Sequence, residues 1–106
     1  MAKYLVQANY VGDGLRGLLK EGGSSRRATV EKMVKSMGGA VEYWYYAFGD
    51  YDLYVIVDMP DKVTMASLSL TVNAAGLVTV KTTVLLTPEE MDEAAKKSPT
   101  YRGPGQ

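Results

Sequence analysis

The sequence predicts one α+β domain in β-α-β-β-α-β order, and three observations lead there. The centre of the chain alternates aromatic and β-branched residues through two runs, Val41 to Phe48 and Tyr51 to Met59, separated only by Gly49-Asp50. Apolar residues recur at helical spacing on either side of this hairpin. Two further strand-like runs open and close the set.

The first run, Tyr4 to Tyr10, is apolar and aromatic and stops at the Gly12-Asp13-Gly14 punctuation, which makes it the first strand. Leu15, Leu18 and Leu19 fit a short helical turn that Gly22-Gly23-Ser24-Ser25 interrupts. The next helix carries Val30, Met33, Val34 and Met37 at i, i+3, i+4 and i+7, with Ser24 or Ser25 as its cap and Gly38-Gly39 as its stop. Glu31 and Lys35 are spaced for an exposed i, i+4 pair.

A two-residue Gly49-Asp50 turn, with Gly49 supplying a positive φ, sets Phe48 opposite Tyr51. That register assigns Trp44, Tyr46, Phe48, Tyr51, Leu53, Val55 and Val57 to one, drier face. Tyr43, Tyr45, Asp52, Tyr54, Ile56 and Asp58 go to the other. Asp61, after Pro60, opens a second helix whose apolar face is Val63, Met65, Ala66, Leu70 and Ala74 and which ends at Gly76. Leu77 to Leu86 reads as the last strand, with Val78, Val80, Val84 and Leu86 inward. A short acidic-to-basic helix, Pro88 to Ala95, completes a domain of residues 1–95, and 96–106 form a polar tail.

This order is that of the ferredoxin-like split unit, an antiparallel sheet with its helices on one face. The second strand then lies at a sheet edge, and Val41 to Tyr46 has no Lys or Pro to blunt it. A second copy of the chain is the expected cover, so we expect a homodimer or higher even oligomer.

Composition excludes much chemistry. The 106 residues include no Cys and no His, which removes thiolate catalysis, disulfides, iron–sulfur clusters, cysteine zinc sites and the usual haem ligand and neutral-pH base. No cofactor is expected. Twelve basic and twelve acidic residues balance, so no global field gathers nucleic acid or anionic lipid. The hairpin is nonetheless acidic, because Glu42, Asp50, Asp52, Asp58 and Asp61 stand in residues 40–61 without one base. The N-terminus lacks the apolar core of a signal peptide, and no run reaches the ~18 apolar residues of a membrane span. The expected location is cytoplasmic.

Gly49-Asp50-Tyr51-Asp52 with its flanking strands resembles the signature of the GYD domain family, named for Gly-x-Tyr-Asp. Tyr10 to Gly14, Arg26, Gly38-Gly39, Pro60-Asp61 and Gly76 extend the resemblance over residues 4 to 95. It implies a relative of the dimeric α+β barrels, a family without a settled biochemical role. Gly49, Tyr51 and Asp52 carry over from the motif, and Tyr10, Gly14 and Arg26 from its surroundings. Val11 departs from the expected Thr.

Three functions follow. The first is binding or sensing of a small molecule in a barrel cavity on the sheet face away from the helices, lined by Asn9, Tyr43, Tyr45, Asp52, Tyr54 and Lys81. The second is a cofactor-free oxygenase or isomerase, in which Asp52 serves as the catalytic base and a Tyr or Lys81 as the donor. The third is RNA binding of the RRM type. It ranks last, because Asp50, Asp52 and Asp58 stand where basic residues are wanted. Gly49 has a turn role and Tyr51 a packing role with a tethered hydroxyl.

Overall fold

Four strands and four helices make up the structure, a computed structural model that describes residues 1–106. In chain order they are β1 (Ala2–Tyr10), α1 (Asp13–Glu21), α2 (Gly23–Ser36), β2 (Ala40–Tyr46), β3 (Leu53–Met59), α3 (Lys62–Ala75), β4 (Val78–Leu85) and α4 (Pro88–Lys97). All pairings are antiparallel, in the order β2-β3-β1-β4. The expected ferredoxin-like arrangement is present, with β2 at an edge. No helix is long and apolar enough to cross a membrane.

Strand alternation builds the core. Leu53, Val55, Val57 and Met59 of β3 are all buried while the residues between them are not. They meet Tyr4, Ala8 and Tyr10 of β1 beneath Val34 of α2 and Met65 and Leu68 of α3. Helix α2 packs over β2, and α3 over β4 and β3.

Local signals hold at several helix ends. The Asp61 carboxylate caps α3 by accepting from the Thr64 amide at 2.7 Å, which keeps its pKa below the ordinary value. Gly76 ends that helix in the left-handed region at φ 75°. Thr87 and Glu90 close a reciprocal capping box at the start of α4.

Other expectations are corrected. Helix α2 begins at Gly23, so Ser24 and Ser25 lie inside its first turn and neither side chain caps it. Glu31 pairs back to Arg27 at 3.7 Å instead of forward to Lys35. Helix α3 turns Met65 and Leu68 inward and leaves Val63 and Leu70 exposed, because its seat on β3 and β4 sets its rotation more strongly than its weak apolar periodicity. Val84 and Leu86 are exposed, whereas Val78 and Val80 pack against the core.

The central hairpin differs most. Its strands pair as expected from Tyr46 opposite Leu53 to Tyr43 opposite Ile56, but a bulge at Glu42 then lets Val41 pair with Val57. Val41 and Trp44, which strict alternation puts on opposite faces, consequently both pack against the core. The connection is not a two-residue turn. Residues 47–52 form a wider loop closed by the Ala47 amide on the Asp52 carbonyl at 2.9 Å, Gly49 has no positive φ, and Phe48 is fully exposed. Tyr51 packs edge-on against Tyr54, with ring centroids 6.0 Å apart, and not opposite Phe48.

Gly14 has a strict steric requirement. A Cβ at this position would overlap the Leu77 carbonyl oxygen, which accepts from the Val11 amide at 3.0 Å where β1 runs into α1. Gly14→Ala is therefore expected to destabilise the protein by at least ~2 kcal/mol, since the obstruction is backbone that no rotamer change relieves. Chemical denaturation compared with Gly17→Ala, where the added carbon meets nothing within 4 Å, is the check.

Candidate functional site

The sheet face away from the helices carries the residues singled out in the sequence, arranged in cross-strand rows. Tyr45, Tyr54, Gln7 and Lys81 form one row, and Tyr43, Ile56, Leu5 and Thr83 the next. Tyr43 and Tyr45 are 55% and 67% exposed. Gln7 stands between Tyr54 and Lys81, and Lys81 forms no ion pair with Asp52 or Glu42. Glu42 and Asp58 instead hold Lys3, whose pKa is raised chiefly by the hydrogen bond to Glu42.

Asp52 and Asn9 are committed to backbone. One Asp52 carboxylate oxygen accepts from the Tyr10 amide at 2.9 Å. The Asp52 amide donates to the Ala8 carbonyl at 3.0 Å and to Asn9 Oδ1 at 3.1 Å. Asn9 Nδ2 in turn donates to the Asp50 carbonyl at 3.2 Å. These bonds tie the hairpin loop to the end of β1. They engage Asn9 and Asp52 apart from the tyrosine rows.

The enclosed space lies on the opposite side of the sheet, between it and helices α2 and α3. A cavity of about 70 Å³ opens there, and fifteen of its seventeen lining residues are hydrophobic. Val6, Ala8, Tyr10, Trp44, Leu53, Val55, Val57, Val78 and Val80 form its floor, and Val30, Met33, Val34, Met65, Leu68 and Val72 its helical walls. By sequence pattern most of these residues belong to the core, and none is among the expected site residues. The available signals were Arg26 in a first helical turn with no acid nearby in sequence, and an indole on the inward face.

Polar groups in this cavity are few. Ser69 is paired with the Thr82 hydroxyl at 2.9 Å. Arg26 forms no ion pair, and the Trp44 indole Nε1–H is shut off from solvent without a hydrogen-bond partner. Burial pushes the Tyr10 phenol up to about 12; Tyr46 adds to the rise and the Arg26 cation opposes it.

Sequence-distant contacts hold this group together. The Tyr46 hydroxyl donates to the Gly23 carbonyl at 2.9 Å, and its ring meets Trp44 edge to face at 5.9 Å. A Cβ at Gly23 would sit 2.8 Å from the Tyr46 ring, so glycine lets the end of β2 dock on the start of α2. Arg26 follows one turn later. A second, more polar depression of about 280 Å³ runs along the β2 edge, lined by Arg27, Glu31 and residues 41–45. No group of three or more acidic side chains gathers as a metal site.

Fold and motif define a ferredoxin-like α+β protein with a Gly-x-Tyr-Asp hairpin. The GYD domain family model matches residues 4–95, and the chain belongs to that family. No curated protein and no solved structure matches it.

The bonds to Asp52 give it a measurable structural weight. Asp52→Ala leaves the part-buried Tyr10 amide without its charged acceptor and is expected to cost about 2 kcal/mol, while Asp52→Asn, which keeps an acceptor, costs about half as much. Urea denaturation of both variants checks the order.

Proposed function

We propose that this protein binds or senses a small molecule, and that it does so as a homodimer or higher even oligomer. The observation that carries the binding reading is the apolar cavity between sheet and helices, into whose lining an unpartnered indole N–H is built. Ligand sites are concave and mostly apolar, with few polar groups to orient the occupant. A purely structural core would have little use for an indole donor without an acceptor. The proposed cavity is thus on the helix side of the sheet, and the open-face tyrosines are free for assembly.

Cofactor-free catalysis has less support. No carboxylate lines the cavity, and a phenol raised to about 12 is a poor base near neutral pH. RNA binding stays last, since Lys3 is engaged by Glu42 and Asp58 and Lys81 is the other base on the open face.

Native mass spectrometry of freshly purified protein is expected to show a bound organic molecule. Val72→Phe, which places a ring in the cavity, should remove that mass while lowering stability by no more than ~1–3 kcal/mol. A folded Val72→Phe variant that retains the same molecule would place binding elsewhere.

Assembly is supported by the β2 edge beyond its bulge, Tyr43 to Tyr46, and by the exposed tyrosine rows of the open face. Sedimentation is expected to give at least twice the 11.5 kDa chain mass at micromolar concentration, with an interface above ~1,000 Å². Tyr45→Lys should shift the protein toward monomer; a wild-type protein that sediments as a monomer would exclude the assembly.

A further inference from the structure

Resting on the cavity as the binding site, the charge and donor pattern around it identifies the chemistry of the occupant. Beside the Tyr10 hydroxyl, which Arg26 and Tyr46 adjoin, the lining holds one cation without an ion pair, the Arg26 guanidinium, and one donor without an acceptor, the Trp44 Nε1–H. The remaining polar lining is satisfied, Ser69 by Thr82. Tyr46, edge to face with Trp44, donates its hydroxyl proton to the Gly23 carbonyl.

A half-buried cation in the lining of an apolar cavity is costly without an anion, and an enclosed N–H without an acceptor adds to that cost. No acidic side chain is present in the lining to answer them. We propose that the cavity takes a small carboxylic acid as its anion, with the carboxylate against Arg26 and the Tyr10 hydroxyl, and the apolar body among Val30, Val55, Val72 and Val80.

Three features support this class over others. Guanidinium and carboxylate match as planar, charge-assisted partners. The Tyr10 phenol stays protonated near neutral pH and so adds a donor, which suits an anion and repels none. Size sets the third limit. About 70 Å³ is well below the roughly 150 Å³ at which an apolar cavity holds benzene, so the body is a few carbons or a ring that projects through the mouth.

The chain has one tryptophan, so a single indole N–H resonance in an amide-proton NMR spectrum reports directly from the cavity. Isovalerate, 2-ketoisovalerate and phenylacetate, each beside its neutral amide, are titrated into the full chain and into Arg26→Gln and Arg26→Lys. The expected result is a saturable shift of the indole resonance with the acids, affinity at least about tenfold weaker for the amides, and loss of that difference in Arg26→Gln with partial recovery in Arg26→Lys. Acids and amides that bind equally would overturn the carboxylate assignment and leave the cavity standing as an apolar site. Inorganic sulfate producing the same shift would also overturn it, since the apolar body would then contribute nothing. If neither acids nor amides move the resonance, the cavity reading falls with it. The wild-type comparison of acid with amide is decisive even if an Arg26 variant does not fold.

Discussion

The pairing of β1 with β3 decides which side chains face the helices, and it is pinned where Asp52 takes the Tyr10 amide and Asn9 takes the backbone of residues 50 and 52. A slip of one residue would invert every side chain of one central strand relative to the core. Leu53, Val55, Val57 and Met59 would then exchange places with Tyr54, Ile56 and Asp58. The bonds join the loop to the very end of β1, through the Asn9 side chain and the Tyr10 amide, so they hold the register at the end nearest the hairpin loop. The opposite end is held by Lys3 with Asp58 and Glu42 across three strands. The acidic character of the hairpin thus has two structural outlets, an amide for Asp52 and an ammonium for Glu42 and Asp58.

From this register follows the position of Tyr10. It falls on the helix side as the last core residue of β1, where Tyr46 and Arg26 reach its hydroxyl. Helices α2 and α3 pack toward opposite margins of the sheet, α2 over β2 and α3 over β4 and β3. The cavity sits between them above the central strands. Apart from Ser69 of α3, its polar groups gather where the start of α2 meets the ends of β1 and β2, joined through Gly23 and Tyr46. Fold and candidate site therefore share one set of constraints, and a change that loosens the loop anchor also reaches the cavity through Tyr10.

The two faces of the sheet have different characters. Inward, the rows are Tyr46, Leu53, Ala8 and Val80, and Trp44, Val55, Val6 and Thr82; outward, they are tyrosine with Gln7 and Lys81. An aromatic outward face carries apolar area without the packing that would use it, which is the physical basis for assembly. An apolar inward face with spare volume and a spare donor is the basis for binding. The family's Gly-x-Tyr-Asp motif bears on both. Tyr51 packs edge-on against the outward Tyr54, and Asp52 fixes the strand that carries the inward floor.

Element order, the edge position of β2, the Asp61 and Gly76 limits of α3 and the pairing of residues 43–46 with 53–56 were legible from residue order alone. Each depends on propensity, capping or alternation within a few positions of the chain. The sequence also marked Asp52 as unusual, but it could not distinguish a ligand-facing acid from a backbone acceptor, since the deciding partners, Tyr10 and Asn9, lie more than forty residues away. For the same reason Gly49 looked like the φ of a tight turn, whereas anchoring of residues 50 and 52 to β1 opens the loop. The bulge at Glu42, the rotation of α3 and the convergence of Tyr10, Arg26, Trp44 and Tyr46 on one cavity all depend on how separate elements fill the same space. Only tertiary packing brings these elements together, and it is between the sheet and helices α2 and α3 that the apolar residues read as core leave a cavity.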